Sequence, residues 1–255
     1  MESHYTDISI NYDYLYEPFY KANVPIIIDK LQLIPDDLLL DIGAATGQQA
    51  HLVWKQVGLK NPVTCLEPCQ GFFEHACKLD GIVPVMQGAE QFCDHLVQDH
   101  VAIDKHRFNK VLLFAVAHHF DNIPKVLTQI FNYLPTNGIC AIINHPSSGI
   151  SLPFTAIHVQ HFAETPDFLD DIVSCAKSRD DVITKVTNEK ARFRIPKSRW
   201  YYMIRNRFWS SFRRYTDEEI EESVKELDNG RFKDVKDDEL IDIVDTLACV
   251  QITKK

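Results

Sequence analysis

Apolar positions in the first half of the chain come as short unbroken runs separated by stretches of helical period. The run Leu38-Leu39-Leu40-Asp41-Ile42 ends in an acid, and Gly43-Ala44-Ala45-Thr46-Gly47 follows before a helical pattern begins. This predicts a strand buried on both faces, a tight turn and a helix N-terminus. Glycine suits such a turn because it takes positive φ at little cost and lets the backbone close on a ligand, while the helix beyond offers unpaired N–H groups. A small ligand bearing a nucleoside or an anionic group is expected there.

The same alternation continues. The pattern predicts strands over residues 62–67, 82–86, 109–116 and 138–144, interleaved with helices over 70–79, 91–99 and 123–133. Ahead of the first strand, residues 11–20 are rich in tyrosine, residues 24–33 have a helical pattern, and Pro35-Asp36-Asp37 supplies a turn. Strands alternating with helices imply a doubly wound α/β fold around a parallel sheet, with ligands beyond the carboxyl ends of the strands. After Asn144 the regularity weakens. A helix is expected over 166–176, and Thr216-Asp217-Glu218-Glu219 reads as a capping box opening a helix to about Leu227, with Asn229-Gly230 as its stop. Residues 240–244 and 247–253 read as one or two closing strands.

Composition narrows the setting. At 255 residues, 45% hydrophobic and 25% charged, the chain reads as one globular domain. Its opening residues lack the apolar core of a secretory signal, and no run approaches the roughly twenty residues that span a bilayer. A soluble, cytoplasmic protein is expected, with no membrane partner. The seven cysteines are scattered, with no Cys-x-x-Cys pair and no zinc spacing, so no metal site is expected and the thiols read as small buried hydrophobes in a reducing compartment. The net charge is −9, but residues 190–215 carry nine Lys or Arg and no acid, while the remainder holds 18 bases against 36 acids. Residues 216–245 then offset that stretch with thirteen acids against four bases. A nucleic-acid partner is therefore disfavoured.

Polar residues fall at the predicted strand ends. Glu67 ends the second strand, where an acid can accept from both hydroxyls of a ribose; Gly88-Ala89-Glu90 follows the third and His118-His119-Phe120 the fourth. In order and spacing, Asp41 to Gly47, Glu67-Pro68, Gly88-Ala89-Glu90, Phe108-Asn109-Lys110-Val111 and Val116 to Phe120 resemble the class I S-adenosylmethionine-dependent methyltransferases. The likeness is to the small-molecule group with DIGxGTG, E-P, G-x-A-E, F-D-x-V and A-L-H-H-F patterns. It covers about residues 36–146. Ala45 replaces the usual middle glycine and Asn109 the usual acid. A dinucleotide-binding oxidoreductase, the competitor on this fold, would show the tighter G-x-G-x-x-G turn that Gly43 and Gly47 do not make.

The resemblance implies a Rossmann-like seven-stranded sheet with S-adenosyl-L-methionine as cofactor. By the same resemblance Asp41, Gly43 and Gly47 hold the methionine part, Glu67 the ribose, and Ala89 with Glu90 the adenine, with Ala45, Pro68, Ala115 and Tyr20 as further cofactor contacts. It divides the single domain into an N-terminal cover (1–35), a cofactor core (36–149), an acceptor lid and helix between strands five and six (150–230) and closing strands (231–255). The aromatic, basic stretch places Trp200, Tyr201, Arg205 and Trp209 in a pocket for a small-molecule acceptor, joined there by Tyr16, with Tyr12, Tyr16 and Tyr20 as cover.

Methyl transfer asks mainly for alignment and exclusion of water, and needs a base only when the nucleophile arrives protonated. His118, His119 and His145, each beyond a strand end, are the candidates, because a neutral imidazole accepts a proton near pH 7. Transfer to an oxygen or nitrogen of a small molecule is the leading expectation. RNA or protein methylation and a catalytically silent binding module are the alternatives.

Overall fold

In the computed structural model, which describes residues 2–98, 108–146, 149–164 and 168–255, the glycine turn follows an interior strand of a seven-stranded sheet. The sheet comprises β1 (Leu39–Ile42), β2 (Val63–Leu66), β3 (Ile82–Val85), β4 (Lys110–Phe114), β5 (Ile139–Asn144), β6 (Val182–Pro196) and β7 (Leu240–Lys254) in the order β3-β2-β1-β4-β5-β7-β6. β1 to β5 are parallel; β7 lies antiparallel between β5 and β6. β1 and β5 are buried at every position, which is why they read as unbroken apolar runs.

Alternate strand residues serve opposite faces. Leu40, Val111, Leu113, Cys140 and Ile142 pack against α4 (Ala89–Gln98), α5 (Ile123–Tyr133) and α7 (Phe168–Lys177). Leu39, Leu112, Ala141 and Ile143 pack against α1 (Glu2–Leu31) and α2 (Gln48–Val57). α3 (Gln70–Ala76) links β2 to β3. The predicted end of one helix at residue 99 and the start of another at 166 lie outside the described residues.

Two expectations are corrected. The helix expected over 24–33 is the last third of α1, which also holds the tyrosines of 11–20 and tolerates Pro18 and Pro25 inside it. Each proline removes one backbone bond, and packing of Leu15, Phe19, Val24, Ile27 and Leu31 holds the helix in place. Residues 150–230 are not one insertion between strands five and six, because β6 crosses them. α6 (Ala156–Ala163) and α7 precede β6; α8 (Lys197–Arg205), a 3-10 turn (Ser210–Arg214) and α9 (Asp217–Asn229) follow it. The basic aromatic stretch is thus split between the end of β6, α8 and that turn. The closing strands are a single strand, β7.

β6 and β7 pair along fifteen residues, but β5 takes up only Ala248 to Thr253 of β7. The rest of the hairpin projects beyond the carboxyl end of β5. Ile195, Ile241 and Ile243 on that projection build a further apolar cluster with Trp200, Met203 and Ile204 of α8, Ile220, Val224 and Leu227 of α9, and Leu15, Tyr16 and Phe19 of α1. This cluster roofs the strand ends where the polar residues collect.

Candidate active site

The turn after β1 is shaped by close backbone approach. Gly43 and Ala44 both donate N–H bonds to Leu66 O, at 2.9 and 3.0 Å. Gly43 has φ +75°, and a Cβ there would stand 2.2 Å from Val116 Cγ2. Ala45 adopts φ +49°, a left-handed conformation that an L residue enters at some cost. Glu67 fastens the turn from β2, Oε2 accepting from Ala45 N–H at 3.0 Å and Oε1 from Cys69 N–H at 2.8 Å.

These groups border a cavity of about 320 Å³ between the strand ends and α1. Asp41, Glu67 and the 43–45 backbone form one wall; Phe72, Pro68 and the α1 tyrosines Tyr12, Tyr16 and Tyr20 form another. Burial, with the Glu67 charge added, pushes the Asp41 carboxyl up to about 7. Burial also raises Glu67, against the pull of its two N–H donors. Two carboxylates held dry beside each other favour a ligand that brings positive charge. α1 is tied across this cavity by Asp13, whose Oδ1 accepts from Tyr20 OH at 3.0 Å and from Thr46 Oγ1 in the turn, while Oδ2 lies 4.0 Å from His75 Nδ1 of α3.

A second cavity of about 580 Å³ adjoins it, and Tyr12, Tyr16 and Ala115 line both. Its floor is the end of β5, with Asn144 and His145, and His118 from the 3-10 turn (Ala117–His119) after β4. Ala115 N–H bonds Ile143 O at 2.8 Å, so Asn144 and His145 stand beside the junction of the two cavities. The roof is Phe208, Trp209 and the segment Ser210 to Tyr215, with His158, His161 and Phe162 of α6 at the side. Among the described residues no carboxylate lines this cavity, whereas Arg213 and Arg214 do.

The histidines differ in electrostatics. Burial, followed by the His119 and His145 charges, pushes His118 down to about 3; burial alone lowers His119. His158, buried, facing His161 and Arg214, falls to about 4 and stacks on Phe212 with ring centres 3.8 Å apart. Burial would lower His145 too, but the Asp245 carboxylate, by charge and hydrogen bond, lifts it above its ordinary value. His145 Nε2 lies 3.1 Å from Asp245 Oδ2, and Asp245 is only 1% exposed.

Residues 40–142 match the family model described as a methyltransferase domain. Over those residues the chain carries a methyltransferase domain, with S-adenosylmethionine as its cofactor. Similar solved structures include a candidate methyltransferase of an antibiotic biosynthesis pathway from Anabaena variabilis (18% identity, TM-score 0.63, covering 91% of this chain and 96% of that one). Another is the YcgJ protein from Bacillus subtilis (14% identity, TM-score 0.58, 91% and 97%). A third is the plantazolicin methyltransferase BpumL in complex with S-adenosylhomocysteine (16% identity, TM-score 0.54, 98% and 90%). At such identities the likeness is one of fold. No curated protein matches this chain in sequence.

Within this methyltransferase domain the first cavity fits the cofactor, because its paired buried carboxylates suit the ammonium and sulfonium charges and its glycine turn leaves room that a Cβ would fill. Asp41, Gly43, Ala45, Glu67, Pro68, Ala115 and Tyr20 line it together. Gly47, Ala89 and Glu90 do not. Gly47 caps α2 in a left-handed conformation, Ala89 is buried against the sheet, and Glu90 Oε1 accepts from Asp121 N–H at 2.9 Å. The predicted bases divide as well, His119 lining the first cavity and His118 and His145 the second.

Of the predicted acceptor residues, Tyr16 and Trp209 line the second cavity. Trp200, Tyr201 and Arg205 do not, and that expectation is corrected. Trp200 is 0% exposed in the roof cluster with Nε1 donating to Pro153 O at 3.1 Å; Tyr201 OH bonds Asp228 Oδ1; Arg205 pairs with Glu221 on the outer face of α8. α8 turns all three away from the cavity, and the 3-10 segment after it takes the place assigned to them. Asn144, Asp245, His158, His161, Arg213 and Arg214 were missed by sequence. Asp245 left one signal: it falls on the same alternate positions of β7 as buried Ile241, Ile243 and Leu247, a carboxylate on an apolar face.

Proposed function

We propose that this protein transfers the methyl group of S-adenosylmethionine to an oxygen or nitrogen of a small molecule held in the second cavity. The single observation that carries the reading is the pair of adjoining cavities with opposite electrostatics, an acidic one at the glycine turn and a basic, aromatic one beyond it, meeting at Ala115. When bound, S-adenosylmethionine supplies an activated methyl on a sulfonium sulfur. The chain's own part is to bind, align and keep water out. Asp41 and Glu67 hold the cofactor's polar ends, the α1 tyrosines close over it, and Trp209, Phe208 and Phe162 present apolar faces to the acceptor.

RNA as the acceptor is disfavoured by how the basic stretch is spent. Arg194, Lys197, Arg205 and Arg207 pair with Asp242, Asp228 and Asp237, Glu221 and Asp217. Arg199 lies over the Tyr14 ring at 4.3 Å. No continuous cationic track of the kind that follows a nucleic-acid backbone is left along the stretch. All seven cysteines are free thiols, and among the described residues no helix is long and apolar enough to cross a membrane, which supports a cytoplasmic place of action. Calorimetric titration with S-adenosylhomocysteine tests the cofactor site: saturable binding that Asp41→Ala weakens is expected, and binding of NAD in its place would sink the reading.

A further inference from the structure

The second cavity contains buried polar atoms that the protein leaves unpaired. Asn144 is 3% exposed, yet neither its Nδ2 nor its Oδ1 has a hydrogen-bond partner, and Trp209 Nε1 has none. Both residues line the cavity. A buried polar group without a partner costs about 1–3 kcal/mol, so two such residues in one cavity mark where a ligand's polar atoms belong. Asn144 stands beside His145, at the junction with the cofactor cavity. The Asp245 carboxylate takes the Nε2 side of His145, which leaves Nδ1 as the nitrogen able to accept a proton. Across the aromatic span, Arg213 and Arg214 supply the cavity's fixed positive charge, with no ion pair to any described carboxylate.

We propose that the acceptor is an aromatic hydroxy acid, its hydroxyl seated between Asn144 and His145, its ring against Trp209, and its anionic group at Arg213 and Arg214. This deepens the methyltransferase reading and rests on it. The hydroxyl oxygen forms a bond to the methyl carbon as the carbon–sulfur bond breaks; the electron pair stays on sulfur, and the hydroxyl proton passes to His145 Nδ1 and then to water. Asn144 hydrogen-bonds the nucleophile, and Asp245 is a positioning residue that fixes the imidazole. An amine acceptor would instead call for a carboxylate facing the cavity, and none among the described residues does so.

The groups facing His145 are Asp245 from β7 and His118 from the turn after β4, with His158 and His161 of α6 and Arg213, Arg214 and Tyr215 of the roof across the same cavity. Asp245 is the nearest countercharge, so its removal is the change that shifts proton uptake.

The test uses the full chain saturated with S-adenosylhomocysteine and a calorimetric panel of hydroxybenzoates and hydroxycinnamates, their methyl esters, and arylalkylamines. Expected are binding of the hydroxy acids over esters and amines, and at least tenfold weaker binding of the acids to Arg213→Gln/Arg214→Gln, with S-adenosylhomocysteine affinity unchanged. Asn144→Leu should lose the preference for a hydroxy acid over the acid lacking the hydroxyl. With S-adenosylmethionine, kcat should rise with pH through an inflexion above the ordinary imidazole value, and Asp245→Asn should move that inflexion down with KM little altered. Preference for amines, insensitivity to the arginine change, an unmoved pH inflexion in Asp245→Asn, or no hydroxy acid binding to protein that binds S-adenosylhomocysteine would each overturn the proposal while leaving the cofactor reading intact. Failure to bind S-adenosylhomocysteine would instead remove the reading beneath it.

Discussion

Asp41 should make cofactor affinity depend on pH near neutrality. Its carboxyl is pushed up to about 7 by burial and by Glu67, so the unliganded protein at pH 6 holds it mainly protonated. S-adenosylmethionine brings an ammonium and a sulfonium into a cavity with two carboxylates, and bound cation favours ionised Asp41. Binding therefore expels a proton whenever the pH lies below the unliganded pKa. With a folded value near 7, the dissociation constant should be about twofold larger at pH 7 and about tenfold larger at pH 6 than at pH 8, a slope that approaches tenfold per pH unit. Calorimetry at pH 6 in buffers of different ionisation enthalpy should count about 0.9 proton released per cofactor. Asp41→Asn should flatten the profile and weaken binding at pH 8. Glu67→Gln should keep the slope and move its midpoint to lower pH, because one of the two causes of the shift is gone. His119, which lines the same cavity, is lowered by burial and titrates further down. A wild-type affinity constant between pH 6 and 8, or a slope that survives in Asp41→Asn, would refute the assignment of Asp41 to the cofactor's charge.

Gly43→Ala should abolish measurable cofactor binding and lower the melting temperature, since the left-handed φ alone costs about 1–2 kcal/mol and the added Cβ would stand 2.2 Å from Val116 Cγ2. Trp200→Ala should destabilise the fold by about 3–5 kcal/mol in urea unfolding while leaving the affinity of folded protein for S-adenosylhomocysteine within twofold; a selective loss of affinity would return Trp200 to the site. Asp13→Ala removes the acceptor shared by Tyr20 and Thr46, and stopped-flow release of S-adenosylhomocysteine should quicken several-fold as α1 loosens. The His145–Asp245 pair should stabilise the protein fully below the unfolded imidazole value of about 6.5 and lose that contribution as pH rises through the raised folded value. The urea-midpoint gap between wild type and Asp245→Asn should then narrow from pH 5.5 to pH 8.5.

The sequence was most legible where one interaction decides the conformation. β1, β4 and β5 are buried on both faces, so runs such as Leu38 to Ile42 announce them, and Thr216 with Glu219 marks the start of α9 by a capping box that forms as expected. β6 was hidden for the opposite reason. As the edge strand it carries Lys185, Glu189, Lys190, Arg192 and Arg194 among few apolar residues, and only its pairing with β7 makes it a strand. The turn after β1 was readable from Asp41, Gly43 and Glu67 because backbone geometry there demands particular residues. The second cavity was not, because Trp200 and Trp209 are indistinguishable in composition. Which of them meets the cavity depends on where α8 stops, at Arg205, and on Arg207 taking φ +48° so that the chain doubles back. Asn109 shows the same limit: its side chain accepts from Leu38 N–H and donates to Asp37, securing the entry to β1, a role that substitution of the family's acid did not disclose.

The two cavities share a structural cause. A parallel sheet leaves its informative residues at strand ends that are open to solvent, and a methyl transfer site must be closed to it. Here the closure is built from both termini of the chain. The first half of α1 lays Tyr12, Tyr16 and Tyr20 over the cofactor turn and, by Tyr12 and Tyr16, over the junction; the projecting part of the β6–β7 hairpin carries α8, the 3-10 turn and α9 above β5. The pieces meet where Tyr12 and Tyr16 stack on Phe208, with ring centres 5.0 and 5.7 Å apart, so the cover of the first cavity and the roof of the second are one packed unit. Asp245 belongs to that same hairpin, placed just beyond the last β5 pairing at Ala248, and reaches His145 from behind. A displacement of the hairpin would therefore disturb the acceptor roof, the cofactor cover and the imidazole together. Occupancy of the two cavities should be coupled through this contact, and Phe208→Ala, which cuts it, should weaken ligand binding at both although Phe208 lines only the second.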